Sequence, residues 1–206
     1  MKTMIPKGHE CFSNDLYKEF NAIKNISINK IIIESKSFKL INIENITEIT
    51  CQKNWKKYNR EFQKLTKKRE KKPQHKLMFH ITNRFAAREI AKVGFDISKS
   101  KLKAFGRGVN LCSELSDVIN FHHMHASKLG LSTIIVCQVQ IGKSHANKSF
   151  DDQIVKLPDG NIYSKPEYYK PKKGFDSMYS ESPYKKIWII PSSARVYPSF
   201  LIDIKL

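Results

Sequence analysis

Apolar residues recur along this chain with two periods, and the switches between them mark its elements. Leu16, Phe20 and Ile23 are spaced for one buried helix face behind Ser13-Asn14-Asp15, which suits an N-cap. Ile28 to Glu34 is β-branched and predicts a strand. Phe38, Leu40, Ile41, Ile43 and Ile46 partly alternate with polar residues and predict a second, half-buried strand. The period then lengthens. Trp55, Tyr58, Phe62 and Leu65 form one stripe of a helix running from Cys51 to Lys72, which Pro73 ends. Lys76-Leu77-Met78-Phe79 is a short apolar run that delivers His80. Thr82-Asn83 then caps a helix with Phe85, Ala86, Ile90 and Val93 on its apolar face, stopped at Gly94-Phe95-Asp96.

The second half reads less evenly. Phe105 to Leu111 is a Gly-bracketed loop, and Ser113 opens a helix to Lys128 with Leu115, Ile119 and His122 or His123 inward. Ser132 to Ile141 begins as a continuous apolar run, the mark of a central strand, and Gly142 closes it. Residues 144 to 173 are polar and form a long loop, open to a hairpin, of the kind that borders sites. Gly174-Phe175-Asp176-Ser177 turns back into the fold, Ile187 to Ile190 is another β run, and Val196-Tyr197-Pro198 leads into a last strand, Ser199 to Ile204. There is no repeat, heptad or linker. The length suits one domain, and residues 1–12 look like a loose start to it.

Charge changes the picture. The 37 basic and 19 acidic residues leave a net charge of +18. That excess fits a polyanion, nucleic acid above all, or an acidic protein. It fits equally a basic domain that uses Lys for solubility, in a chain whose richness in Lys, Asn and Ile matches an AT-biased genome. The densest basic stretch is the helix of residues 51–72, where Lys56, Lys57, Arg60, Lys64, Lys67, Lys68, Arg69, Lys71 and Lys72 face Glu61 and Glu70. Lys64, Lys68 and Lys71 are the candidate contacts to nucleic acid, RNA before DNA. Reversing all three is expected to leave stability nearly unchanged.

Cys11, Cys51, Cys112 and Cys137 lie far apart without a CxxC pair and read as free thiols of a reducing compartment. No apolar run reaches spanning length and the N-terminus has no apolar signal core, so a cytoplasmic or nuclear place, without a membrane partner, is expected. His122, His123 and His125 do not converge on a metal from one helix, and no metal site is expected.

Taken in order, these motifs resemble the catalytic domain of the poly(ADP-ribose) polymerase family, in its mono-ADP-ribosylating branch. The residues that carry the likeness are Trp55-x-x-Tyr58, Leu77-Met78-Phe79-His80-Ile81-Thr82, Gly94-Phe95, Phe105-Gly106-Arg107-Gly108-Val109-Asn110-Leu111, Ile141-Gly142-Lys143, Gly174-Phe175-Asp176-Ser177 and Val196-Tyr197-Pro198-Ser199-Phe200-Leu201-Ile202. The resemblance covers about residues 13–206 and implies an α+β domain, a split pair of antiparallel sheets with flanking helices holding NAD in an extended cleft; no helical regulatory domain is expected before it. It makes His80 the first triad member, which binds the adenosine ribose hydroxyls.

The other site positions depart from the family. Ile81 stands where a Gly gives its backbone to the nicotinamide amide, and Asn110 where a Tyr stacks on the ring. Counting from Gly108, Val118 replaces a Ser that hydrogen-bonds the nicotinamide, and Phe121 keeps an aromatic. Counting back from Val196, Ile187 takes the third triad position, Glu in polymerising members, so polymer elongation is not expected. Each lost contact removes on the order of 1 kcal/mol of positioning. The side chains of Ile81, Asn110 and Val118 are expected to converge beside His80. The reading is an inactive domain, without NAD as a working cofactor, that binds a protein or nucleic acid. The alternative is an active NAD-dependent mono-ADP-ribosyltransferase gripping nicotinamide with Asn110 and Phe121.

Overall fold

The computed structural model describes residues 42–99, 107–120, 132–147, 154–156, 162–164, 170–182 and 185–205. The expected extension, the helix over 13–23 and the strand from Ile28 to Glu34 lie outside them, as do Phe121, His122, His123 and His125.

In chain order the elements are β1 (Asn42–Glu48), α1 (Gln52–Arg69), β2 (His75–Thr82), α2 (Arg84–Val93), β3 (Val109–Cys112), α3 (described over 115–120), β4 (Thr133–Gln140), β5 (Ser144–Ala146), β6 (Ile154–Lys156), β7 (Ile162–Ser164), β8 (Ser177–Ser182), β9 (Lys185–Ile190) and β10 (Val196–Lys205). Eight strands form one sheet in the order β1-β10-β4-β2-β3-β9-β8-β5, while β6 and β7 pair alone. All its pairs are antiparallel except β5 with β8. The expected split shows as a seam rather than a gap. β2 and β3 share a single residue pair, Phe79 with Cys112, whereas β2 runs eight pairs along β4.

β4 is buried along its whole length, which its unbroken apolar start predicted. Strand alternation divides the core into two faces. Met78, Leu111, Ile135, Cys137 and Trp188 share one face with Ala87 of α2. Phe79, Ile134, Val136 and Phe200 share the other with Leu115, Val118 and Ile119 of α3.

α1 buries the predicted stripe, Trp55, Tyr58, Phe62 and Leu65. It stops at Arg69, before Pro73, because Glu70 turns left-handed at φ 53°. The backbone oxygen of Tyr58 accepts from Gln140 Nε2 at 2.8 Å, which ties the helix to the end of β4. α2 begins as predicted, with Asn83 Oδ1 accepting from the Ala86 N–H at 2.8 Å. Its apolar face is only partly the predicted one, with Ile90 against the core as expected. Phe85 is 79% and Val93 60% exposed, and the helix packs through Ala87, Ile90 and Ala91. Small alanines let the helix lie close to the sheet, while Arg84 and Arg88 reach Asp203 on β10. The polar stretch from 144 onward carries three short strands, β5, β6 and β7.

Candidate functional site

The site forms where β2 and β3 part. His80 is the sixth residue of β2, one past the shared pair, and Asn110 is the second of β3. His80 Nδ1 lies 2.9 Å from the Asn110 main-chain oxygen. A carbonyl can only accept, so Nδ1 carries the proton and Nε2 keeps a lone pair. The ring meets Phe95 edge-on, centroids 5.2 Å apart. Burial pushes the His80 pKa below its ordinary value, against the opposing pull of the Asn110 oxygen. The imidazole is therefore neutral at pH 7.

Gly108 lets β3 start flush against β9. A Cβ there would come within 2.7 Å of the Ile190 oxygen and 2.8 Å of Ile189 Cγ2. Tight register follows, with Asn110 opposite Ile189 and Cys112 opposite Ile187.

The expected convergence beside His80 is not realised. Ile81 packs against the cluster that holds Val118 with Phe79, Leu115 and Ile119. Asn110 alternates with Leu111, which belongs to the other face, so its side chain shares the face of Cys112. Cys112 packs against both the Val118 cluster and the Ile187–Ile189–Met178 cluster. Ile81, Asn110, Val118 and Ile187 thus flank one largely aliphatic face. His80 is on the opposite face with Phe95, because neighbours on a strand point to opposite sides. Val118 is 1% exposed and Ile187 5%. Asn110 Oδ1 is buried and accepts no hydrogen bond among the described residues.

Residues 17–206 match the model of the poly(ADP-ribose) polymerase catalytic domain. The chain belongs to that family. No curated protein matches it. Its mixed α+β architecture, an eight-stranded sheet with few helices, is that of the ADP-ribosyltransferase fold. Poly(ADP-ribose) polymerase domains use NAD as substrate. Among the described residues no His, Cys, Asp and Glu group could hold a metal ion, and no helix is long and apolar enough to cross a membrane.

Other residues of the family's motifs build a frame behind the seam. Asp176 is the hub, and its side chain is 2% exposed. Its carboxylate accepts from Arg69 Nε at 2.8 Å, Lys68 Nζ at 2.7 Å and the Lys143 N–H at 2.9 Å. Burial alone would raise the Asp176 carboxyl. Arg69, Lys68 and the Lys143 N–H outweigh it and hold the pKa at about 2. Gly142, at φ +66°, is needed beside it, since a Cβ would sit 2.6 Å from Asp176 Oδ2.

Arg195, 5% exposed, donates to the main-chain oxygens of Gln140, Ile141 and Asp176 at 2.6 to 3.1 Å. Sequence reasoning quoted Asp176 as a turn and passed over Arg195. Neither has its partners nearby in sequence, so no local signal marked them.

The three candidate nucleic-acid lysines differ in kind. Lys64 pairs with Glu61 and Lys68 with Asp176, both at 2.7 Å, while Lys71 lies exposed just past α1. The triple reversal would therefore place a carboxylate against Asp176, and nearly unchanged stability is no longer its expected outcome.

Proposed function

We propose that this poly(ADP-ribose) polymerase-like domain no longer transfers ADP-ribose and acts as a binding or scaffolding module. The observation that carries the reading is the face shared by Ile81, Val118 and Ile187. Where the family resemblance puts the nicotinamide, the wall is aliphatic, and Asn110 brings a lone amide oxygen in place of a ring. An amide oxygen can take a donor but cannot stack, and buried Val118 offers no hydroxyl. The residues present do not fit a ring that must be held while its glycosidic bond stretches. With Ile in the third triad position, the chain lacks a carboxylate for elongation. The partner is a protein or a nucleic acid.

The competing reading, an active mono-ADP-ribosyltransferase, draws on His80, which is neutral, oriented by Asn110 and left with an acceptor nitrogen that has no hydrogen bond among the described residues. Two measurements separate them. Calorimetry with NAD is expected to give no heat of binding, and incubation with labelled NAD no automodification. A His80-dependent label on the protein would overturn the proposal. The variant Ile81→Gly, Asn110→Tyr, Val118→Ser tests the cause, since it is expected to gain NAD binding that the natural chain lacks.

A further inference from the structure

The exposed face of α1 carries cations at nearly every turn. Lys53, Lys56, Lys57, Arg60 and Lys67 are exposed along it, and Lys71 continues the row past its end. None of these six makes an ion pair among the described residues. Lys64 and Lys68 are paired with Glu61 and Asp176. The first turn of α1 holds no acidic residue. One turn rises about 5.4 Å, so neighbouring cations sit within a Debye length and repel one another unless a polyanion lies across them.

The exposed positions of α1 are equally telling for what they lack. They are Gln52, Lys53, Lys56, Lys57, Arg60, Gln63, Lys64, Lys67 and Lys68, with no apolar side chain among them. A protein partner needs apolar or aromatic anchors in desolvated pockets for most of its affinity. A phosphate backbone needs only charge. The row is also straight, about 27 Å for an 18-residue helix. A duplex turns its phosphates away from such a line after a few contacts, whereas a single strand can follow it.

Beside the N-terminal half of α1 runs a groove lined by Asn54, Lys57, Val93, Gly94, Phe95 and Ser193. Val93, 60% exposed, gives the groove that Lys57 also lines an apolar surface, against which one base of a strand whose phosphates lie on α1 can pack.

We infer that this face binds the backbone of single-stranded RNA, the form in which most free single strands occur in a cell. The inference rests on the binding-module reading for its meaning and names that module's partner. The two fail separately, since turnover of NAD would end the module reading without touching the surface, and absence of RNA binding would do the reverse.

The test uses the full chain and a labelled 20-nucleotide oligo(U), with anisotropy read between 50 and 200 mM salt. Six phosphate contacts predict a slope of log affinity on log salt of about −4. The variant Lys57→Gln, Arg60→Gln, Lys67→Gln is expected to lower it to about −2 and weaken binding at least about tenfold at 100 mM salt. Its melting temperature should match the natural chain, which separates lost contacts from lost fold. Val93→Ser should weaken binding a few-fold with the slope unchanged; no effect would remove the base seat. Equal affinity of the triple variant, or equal competition by duplex DNA, would overturn the proposal.

Discussion

His80 Nδ1 stands 2.9 Å from the main-chain oxygen of Asn110, and this bond joins β2 to β3 just past the one pair that connects them. It links the two halves of the sheet through the first residue of the candidate site. The same bond fixes the tautomer. Long-range proton–nitrogen spectra are expected to show Nδ1 protonated and Nε2 bare at pH 7, and an Nε2–H tautomer would contradict the assignment.

The His80 pKa also sets a pH response. Its value in the folded chain lies below the ordinary 6.5. The unfolded chain therefore takes up the proton first as pH falls. Stability is full above about 6.5 and declines below it until the folded-state pKa is reached. His80→Asn, whose amide nitrogen takes the place of Nδ1 and keeps a donor for the Asn110 oxygen, should flatten this part of the stability curve. Urea melts between pH 7.5 and 5 measure it; an unchanged pH slope in the variant would mean that other groups cause it.

Elements carried by local pattern were the ones legible in the sequence. The stripe of α1 and the buried run of β4 needed only period and composition. The face assigned to α2 kept Ile90 but took in exposed Phe85 and Val93, because these outweigh Ala87 and Ala91 in any hydrophobic count. β3 and β8 were missed for another reason. A four-residue strand behind a glycine, and a Ser-rich strand, owe their form to partners on β9 rather than to their own propensity. Of the candidate site, motif order supplied only positions, His80, Ile81, Asn110, Val118 and Ile187, and the expected convergence overlooked that adjacent His80 and Ile81 must face opposite ways.

Arg195 holds three main-chain oxygens from β4, the residue after it and Asp176, with no carboxylate side chain among its bonds. Arg195→Lys keeps the charge but loses the planar fork, so buried carbonyls go unpaired. The expected cost is about 3 kcal/mol in urea denaturation, with an unchanged slope. A loss below about 1 kcal/mol would show that the carbonyls find other donors.

Asp176 predicts acid lability. Its folded pKa of about 2 lies below the usual carboxylate value of 3.8. The stabilisation is complete above about 4 and is lost as pH falls toward 2, in all roughly 2 kcal/mol. Asp176→Asn should lower stability at pH 7 and lose most of the dependence between pH 4 and 2. If the variant keeps the full acid transition, another carboxylate governs it.

Lys67 and Lys68 are neighbours that no sequence argument could tell apart, and the structure gives them different work. Both point from the basic side of α1, and Lys68 is still 58% exposed, yet its ammonium reaches a carboxylate 108 residues away while Lys67 makes no ion pair among the described residues. Removing a surface charge usually changes stability by less than about 0.5 kcal/mol, and that is the expectation for Lys67→Glu. Lys68→Glu sets a second carboxylate beside one that is already buried, so it should cost more than about 1 kcal/mol and raise the Asp176 pKa. Thermal melts of the two variants at pH 7 give the comparison. Adding Arg69→Gln to Lys68→Glu should cost more than the sum of the single changes, because each cation partly stands in for the other at the shared acceptor. Strict additivity would mean that Asp176 is held chiefly by the Lys143 N–H, and α1 would then owe its position to its apolar stripe alone.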